Sequence, residues 1–452
     1  MRRLKPPQVV ILSFAIAILI GTAVLSLPQS SSDGASIGIV DAFFTATSAT
    51  CVTGLIVKNT GIDFSRFGQL VILFLIQIGG LGIMTLSTFF AILLGRKLTL
   101  RENVVIKSAL DHHGVQGLKM LILYILGITL GIEAIGAFLL YNRFGQIYPS
   151  IFHSISGFCN AGFSLNPTSF MQYSHDAYVN FIMAALIILG GIGFIVMIDA
   201  RKVLRWCFRK VFLRSKEDIR HLFSKISLQT KVAVSVSIAL IFLGTAVFFL
   251  IENHRTLYGL GFKNQILVSF FQSVTARTAG FKTVPIQNLA SPTLFFLIIL
   301  MFIGASPGST GGGIKTCTLG VLLAGALSML KNRNNIQIFK RTIPRPIFRK
   351  AVMIAGLAVA WVVVFTMLLA FVESRNEAMP NYFLRIFFEV TSAFGTVGLS
   401  TGITPILSVY GKLLIILTMF VGRIGPLTLA LAVAMKEQTI IYKYPEEKVM
   451  VG

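Results

Sequence analysis

Charged residues are scarce in this chain, and acidic ones are the scarcest. Asp, Glu, Lys and Arg make up 13% of its 452 residues, against roughly 25% in soluble domains. Cysteine is rare too, since the chain has four and no C-x-x-C pair, which argues against a disulfide framework and against a zinc site. The ionisable residues show no spacing that joins a nucleophile to a base, so the sequence predicts no enzyme.

Apolar residues fill most of the chain, at 55% with a mean hydropathy of +0.80. Eight windows are long enough to span a membrane. They are Val9–Leu27, Leu70–Gly95, Met120–Tyr141, Val179–Ala200, Val232–Ile251, Leu294–Leu330, Ala351–Val372 and Leu413–Ala434. The sequence therefore predicts an all-α membrane protein with eight transmembrane helices.

Basic residues follow an alternating pattern, although the net charge of +23 alone would suggest nucleic acid. Of the 40 Lys and Arg, 28 lie in alternate segments between or beyond the windows. The segments are the N-terminus, Arg96–Lys119, Arg201–Lys231, Lys331–Lys350 and the C-terminus. Because basic loops stay in the cytoplasm, we expect a multi-pass protein of the cell membrane with both termini in the cytoplasm. No single soluble domain carries a basic face for nucleic acid.

The N-terminal apolar stretch has an alternative interpretation as a signal peptide, because Met1-Arg-Arg-Leu-Lys precedes it. The stretch is long for a signal, and no small-x-small cleavage site stands before Pro28. We therefore predict that it is retained as the first transmembrane helix.

An internal repeat organises the chain around four glycines, Gly54, Gly162, Gly280 and Gly398, spaced 108, 118 and 118 residues apart. A phenylalanine precedes each by ten residues, at Phe44, Phe152, Phe270 and Phe388. Each interval contains two of the windows, so the unit is helix, short segment, helix. The predicted repeats are 1–95, 96–200, 201–330 and 331–452, the last including a cytoplasmic tail.

The segments before the glycines are too short to span a membrane and suit re-entrant half-helices. A half-helix that ends in front of a glycine points its unpaired carbonyls at the membrane centre, where they favour cations. Four extended segments after such helices form rings of oxygens that replace the hydration shell of an ion. The sequence thus predicts four helix, pore-loop, helix repeats around one pseudo-four-fold pore.

The triplet Thr396-Val397-Gly398 resembles the filter of K⁺ channels, and the four-glycine layout resembles the Trk/Ktr/HKT superfamily, in particular the KtrB-type membrane subunits of bacterial Ktr K⁺ uptake systems. The resemblance implies a K⁺ selectivity filter whose backbone carbonyls bind the ion. The residues are Val52, Thr53 and Gly54; Asn160, Ala161 and Gly162; Thr278, Ala279 and Gly280; and Thr396, Val397 and Gly398. Only the fourth repeat has the K⁺-channel triplet, so the symmetry is approximate.

The window from Leu294 is interrupted by a run of small and helix-breaking residues. The run is Gly304, Ala305, Ser306, Pro307, Gly308, Ser309, Thr310, Gly311, Gly312 and Gly313, followed after Ile314 by Lys315 and Thr316. A phosphate-binding loop is excluded because Ile314 separates the last glycine from the lysine. The resemblance assigns the stretch to an intramembrane loop that gates the pore.

Arg423 lies inside the last apolar window, where an arginine costs roughly 2.5–3.5 kcal/mol, so we expect it to face protein or water unless it reaches the interface. The resemblance places it in the pore beside the loop, as part of the gate. Glycines at a similar depth in the first two repeats, Gly79 to Gly82 and Gly190 to Gly193, predict close helix packing. We expect Glu133, Glu389 and Asp41 to pair with a basic group or to cap a helix, with the concentration of cations as the alternative, and His153 to be packed and hydrogen-bonded.

The predicted mechanism is inward K⁺ flux through the filter once the loop moves. An alternative is a secondary cation-coupled symporter with broken helices, which predicts paired inverted repeats instead. The resemblance implies a homodimer on a cytoplasmic ring of nucleotide-binding (RCK/KTN-type) subunits. It gives K⁺ as the transported ion, Na⁺ as a candidate activator and no cofactor in this chain.

Overall fold

The computed structural model describes residues 6–82, 118–212, 226–333, 335–374 and 382–433, and most of these are helical. Four outer helices begin the repeats: α1 (Pro6–Leu25), α4 (Leu118–Phe144), α8 (Leu228–Glu252) and α12 (Arg345–Val372). Four pore helices follow them: α2 (Ile39–Thr50), α5 (Ile147–Phe158), α9 (Phe262–Thr275) and α13 (Tyr382–Gly395). Each pore helix has at most 14 residues, so the predicted half-helices are confirmed.

The inner helices complete the repeats. They are α3 (Arg66–Leu81); α6 (Ala177–Ile192) with α7 (Phe194–Phe212); α10 (Ser291–Phe302) with α11 (Thr316–Leu330); and α14 (Val409–Ile424) with α15 (Pro426–Val433). A hairpin of β1 (Ile336–Ile338) and β2 (Arg341–Ile343) lies between α11 and α12. Three-residue 3₁₀ turns lie at Pro28–Ser30, Met171–Tyr173, Ile286–Asn288 and Thr404–Ile406.

Local sequence explains where the inner helices begin. Side-chain oxygens of Ser65, Asp176 and Ser408 cap α3, α6 and α14 by accepting from backbone amides of the first turn. In α10 a proline occupies the first turn instead, where its missing N–H costs nothing. Each inner helix therefore starts at a defined residue after the loop that follows the pore segment.

The eight predicted crossings fall into two kinds. The four outer helices are long and apolar enough to cross a membrane, and the bent pair α6 and α7 is a candidate fifth span. The helices α3, α10 and α11 are shorter apolar helices. The end of the second window, the segment 96–117 and the middle of Arg201–Lys231, residues 213–225, lie outside the described residues, as do both predicted cytoplasmic termini.

Helix breaks at glycine are more frequent than the sequence predicts. We expect a break in the third repeat alone, yet α6 and α7 meet at 106° across Gly193, and α14 and α15 meet at Gly425. Gly193 has φ 94° and Gly425 has φ 91°, backbone angles that a side chain would strain. The predicted close packing is also present, because a methyl group on Gly79 or Gly190 would overlap a carbonyl at the end of a pore helix.

The four repeats close into a ring. Each inner helix packs against the pore helix of the next repeat, since α3 contacts α5, α6 contacts α9, α10 contacts α13, and α14 returns to α2. Phe44, Phe152 and Phe388 of the repeated pattern are fully buried beside the pore helices, and Phe270 is partly buried. This cyclic order confirms the predicted fold class and brings the four glycine-containing loops to one place.

Candidate ion pathway

Each pore helix ends next to the extended segment predicted as filter. The backbone N–H of the residue before each glycine returns to the helix, as in Thr53 N–H to Ser48 O at 2.8 Å and Val397 N–H to Ser392 O at 2.9 Å. The hydroxyls of Ser48 and Ser392 also accept from the N–H of Gly54 and Gly398, each at 3.1 Å. The backbone N–H groups of the filter segments are thus used in hydrogen bonds to the pore helices. The carbonyl oxygens of these segments remain available to face an ion.

The third repeat reaches the same result with different residues. Val274 replaces the serine at this position. The neighbouring Thr275 hydroxyl donates instead to Phe281 O at 2.7 Å, as Ser156 does to Phe163 O at 2.7 Å in the second repeat. One hydroxyl therefore ties the helix end to the filter segment in every repeat.

Backbone angles in the four segments alternate in sign. The glycines have φ of 90°, 71°, 78° and 87° in chain order, and the residues two positions earlier, Val52, Asn160, Thr278 and Thr396, have φ of 57°, 59°, 72° and 50°. A β-branched residue at positive φ is rare and costs on the order of 1–3 kcal/mol. Asn160 tolerates positive φ, whereas the three β-branched residues do not, so the shared conformation indicates that the carbonyl directions determine the backbone angles in all four repeats.

The four glycines form a closed ring around one axis. A methyl group built on Gly54 would lie 2.9 Å from the Cα of Gly162, and one on Gly162 would lie 3.2 Å from the Cα of Gly280. The corresponding distances are 3.1 Å from Gly280 to Gly398 and 2.9 Å from Gly398 back to Gly54. No side chain fits at these positions, so backbone alone surrounds the axis. The twelve residues predicted as filter are therefore brought together.

The residues 304–316, which we call the intramembrane loop, lie beside this ring. The loop is built on α6, because Ser306 N–H donates to Gly191 O at 2.9 Å and Phe194 N–H donates to Gly308 O at 2.9 Å. Its base closes on itself, with Gly304 N–H donating to Ile314 O at 2.9 Å and the hydroxyls of Ser306 and Thr316 2.9 Å apart. The twelve non-helical residues from Gly304 to Lys315 are thus ordered by hydrogen bonds to protein, as membrane depth requires.

The tip of the loop contacts the filter segments directly. Gly312 N–H donates to the Thr396 hydroxyl at 2.9 Å, and the Thr310 hydroxyl donates to Phe158 O at 3.3 Å. A side chain on Gly311 would overlap the Thr278 hydroxyl. The loop therefore touches the ends of the second, third and fourth pore segments on one side of the ring.

Arg423, at the end of α14, joins the loop to the opposite side of the pathway. Its guanidinium donates to Thr310 O of the loop and to Gly79 O of α3. The side chain therefore faces protein, and snorkelling to the interface is not observed. Lys315 adds a second positive charge nearby, with Nζ donating to Gly311 O at 2.6 Å. All the predicted gate residues, Gly304 to Gly313, Lys315, Thr316 and Arg423, thus form one connected layer.

The other ionisable residues that the sequence singles out have hydrogen-bond or ion-pair partners, as predicted. Asp41 pairs with Lys412 at 2.7 Å, and Glu133 accepts from Gln77 at 3.1 Å. Glu389 accepts from the Thr404 hydroxyl, which follows the fourth filter segment. His153 Nε2 lies 3.1 Å from the Ser164 hydroxyl in the equivalent part of the second repeat. Glu389 and His153 thus each form a hydrogen bond to the chain that follows a filter segment, in the fourth and the second repeat.

Sequence reasoning missed one charged residue next to the filter. Arg277 directly precedes Thr278, is 9% exposed, and donates from Nη2 to the Ser237 hydroxyl of α8 at 3.0 Å. Its side chain leaves the axis and crosses to the outer helix. An alignment of the repeats contains a signal for this residue. Arg277 stands three residues before its anchor glycine, where the other repeats have the uncharged residues Cys51, Cys159 and Gly395.

Comparison with known proteins supports this reading of the geometry. A family model described as TrkH, a cation transport protein, matches residues 6–444. The chain is 40% identical to the Ktr system potassium uptake protein B of Bacillus subtilis, over 100% of this chain and 97% of that protein. It is 38% identical to the potassium/sodium uptake protein NtpJ of Enterococcus hirae, over 100% of this chain and 98% of that protein.

A solved structure has the same fold. The crystal structure of the potassium transporter TrkH from Vibrio parahaemolyticus aligns with a TM-score of 0.70 at 21% identity, covering 93% of this chain and 84% of that one. The overall fold is therefore shared with an experimentally determined protein.

Proposed function

This chain belongs to the TrkH family of cation transport proteins, and we propose on that basis that it is the K⁺-translocating subunit of a bacterial K⁺ uptake system. It is a multi-pass membrane transporter and not an enzyme. The observation that carries the proposal is the closed ring of four glycines at positive φ, in which backbone alone surrounds one axis. Carbonyl oxygens in such a ring replace the hydration shell of a monovalent cation.

The selectivity filter of this proposal consists of the twelve residues of the four segments. K⁺ ions enter this filter from outside the cell and exchange their hydration water for the backbone carbonyls. The membrane potential then drives them inward. The four repeats, with boundaries at residues 95, 200 and 330, each contribute one segment. One refinement is that α7 runs from Phe194 to Phe212 across the second boundary, so the 106° bend makes it a connection between repeats.

The intramembrane loop and Arg423 form the gate of the proposal. The loop is fixed by single hydrogen bonds to several partners, and such contacts contribute about 0.5–1.5 kcal/mol each, or about 1.5–3 kcal/mol when one group is charged. Contacts of this size are released without unfolding the helices. An open state thus needs only the loop tip and Arg423 to exchange partners.

Regulation in this proposal comes from other chains. The relatives named as parts of a Ktr system are consistent with a homodimer on a cytoplasmic nucleotide-binding ring of the RCK/KTN type. The orientation that this requires has both termini in the cytoplasm, which agrees with the alternation of basic segments along the sequence. A role for Na⁺ as activator is suggested by the potassium/sodium name of the Enterococcus hirae relative.

The experiment that tests the function is K⁺ uptake in a bacterial strain without its own uptake systems. We expect the wild-type chain with its regulatory subunits to restore growth at low K⁺, and Gly398→Asp to abolish it while the protein remains in the membrane. Proteoliposome flux with and without Na⁺ then tests activation. A symporter, which the family does not favour, would instead show saturable coupled uptake of another substrate without K⁺ conductance.

A further inference from the structure

A groove of about 350 Å³ lies between α8 and α11, at the end of these helices that leads to the β-hairpin. Its floor is mainly apolar, with Val232 and Val236 of α8 facing Leu323 and Ala324 of α11, and it also includes Ser235 and Ser328. Gly320 brings the two helices together, since a methyl group there would lie 2.5 Å from Val232. The floor is therefore shaped like a channel for a hydrocarbon chain along the helix pair.

The open end of the groove is positively charged. Lys331 and Arg333 line it, and both are exposed. The segment 331–350 contains seven Lys and Arg and no Asp or Glu. Neither Lys331 nor Arg333 takes part in the three ion pairs found among the described residues. An apolar floor thus meets a basic rim at the membrane boundary.

The hairpin covers this end of the groove in an unusual conformation. Its two turn residues, Phe339 and Lys340, have φ of 49° and 61°. Such turns strongly favour Asn-Gly, so Phe-Lys is a strained choice. The turn places Phe339, 45% exposed, in the lining of the groove with Lys340 beside it. Aromatic and basic residues together are typical of the headgroup region of a membrane.

The hairpin is fixed to the helices, so the groove is a built feature. Ile343 of β2 is 6% exposed, and the ring of Phe348 at the start of α12 packs directly on Gly325 of α11. The strands keep a three-pair antiparallel register from Ile336 with Ile343 to Ile338 with Arg341.

We propose that this groove binds one anionic phospholipid of the cytoplasmic leaflet. Lys331 and Arg333 bind the headgroup phosphate, Phe339 covers the glycerol region, and one acyl chain lies along α8 and α11. The proposal rests on the proposed function in one respect, the assignment of the hairpin to the cytoplasmic side of the membrane. Anionic headgroups are the partner because each basic residue near a membrane surface favours them and because the rim has no acidic residue.

The test measures lipids retained by the purified full chain after mixing with phosphatidylglycerol and phosphatidylcholine in equal amounts, using native mass spectrometry. We expect the wild type to retain one phosphatidylglycerol in preference to phosphatidylcholine, and Lys331→Gln with Arg333→Gln to weaken that preference about 10- to 30-fold. The matched control is Arg349→Gln with Lys350→Gln, which removes the same charge from the same segment outside the groove and should retain the lipid.

A second variant tests the apolar floor without a charge change. Ala324→Phe fills the groove and should reduce the retained phosphatidylglycerol as much as the double glutamine variant. Equal losses in the groove and control pairs would overturn the proposal, because they indicate a diffuse basic surface. Unchanged lipid with lost binding of a regulatory subunit would overturn it in favour of a protein partner. Lipid retention is measured without K⁺, so it stands or fails separately from the transport function.

Discussion

The ring of glycines and the layer beside it differ in symmetry. In the ring, all four repeats contribute the same elements: a glycine at positive φ, a second residue at positive φ two positions earlier and a hydroxyl that ties the segment to its helix. In the proposed gate layer, the third repeat contributes the intramembrane loop and the fourth contributes Arg423, and the described residues of the first two repeats contain neither feature. Coordination of one ion on an axis requires similar ligands from every side, whereas obstruction of a pore needs only one element.

This contrast shows how a duplicated chain diverges. Backbone groups do the common work in the ring, so side chains there vary between Val52, Asn160, Thr278 and Thr396. The side chains of these four residues differ in what they contact. The Thr396 hydroxyl, for example, accepts a hydrogen bond from Gly312 N–H of the intramembrane loop. The two regions therefore predict different responses to substitution: loss of transport in the ring and gain of flux in the gate layer.

The largest effect is expected in the ring. Gly398→Ala places a methyl group against Thr53 O, at a φ of 87°. The carbonyls of two repeats must then move apart, so K⁺ uptake should fall by more than tenfold, as a cost above about 1.4 kcal/mol implies. Rubidium uptake by cells at matched protein levels measures this loss.

The control for this variant is Gly402→Ala in the same loop. Gly402 also has positive φ, 91°, but a methyl group there would meet only the side chain of Gln287 at 3.3 Å. It carries the backbone strain without filling the ring, so transport per molecule should remain near the wild-type level. Equal losses in both variants would indicate that strain, and not the ring, controls transport.

The second effect is of opposite sign and concerns Arg423. Arg423→Ala removes two charge-assisted hydrogen bonds, to the loop and to α3. Since each contributes about 1.5–3 kcal/mol, flux in proteoliposomes without regulatory subunits should rise at least tenfold. Arg423→Lys keeps the charge but not both bonds and should lie between. Reduced or unchanged flux for Arg423→Ala would remove this residue from the gate.

A smaller gain is expected at the border between the regions. Thr396→Val removes the hydroxyl that binds Gly312 N–H, and valine already occupies the equivalent strained position at Val52. One neutral hydrogen bond of about 0.5–1.5 kcal/mol predicts roughly two- to tenfold higher unregulated flux. The control, Thr391→Val, removes a buried hydroxyl without a partner among the described residues and should change little.

The smallest effect is expected where repeats one and four meet outside the ring. The Asp41–Lys412 pair joins these repeats, with side chains 19% and 14% exposed. Lys412→Gln should lower thermal stability by no more than about 1 kcal/mol and leave transport unchanged. A loss of K⁺ selectivity in this variant would show that ring closure depends on side chains as well as on backbone.

The sequence predicts the pore helices, the anchor glycines and the loop because each leaves a local signal. Phe44 and its equivalents recur in register, and the run from Gly304 to Thr316 breaks any helix. The sequence does not predict the bends at Gly193 and Gly425, because a glycine in an apolar helix is equally consistent with close packing against a neighbouring helix. Each bend lies three residues after a glycine, Gly190 or Gly422, that packs against a carbonyl near the end of its own pore helix.

Three other features depend on tertiary contacts that a sequence does not display. The partners of Arg423 lie 113 and 344 residues away along the chain. Arg277 extends to Ser237 of the outer helix, which no motif marks. The hairpin turn at Phe339 and Lys340 lacks the Asn-Gly signal of its geometry. In each case distant packing overrides the local preference.

The most direct measurement is anomalous diffraction from crystals of the wild-type chain grown in Rb⁺. A ring of carbonyls that binds K⁺ predicts an Rb⁺ peak on the axis, surrounded by Thr53, Ala161, Ala279 and Val397, and the loss of that peak in Gly398→Ala. An axis without Rb⁺ in the wild type, or the same peak retained in Gly398→Ala, would contradict the account.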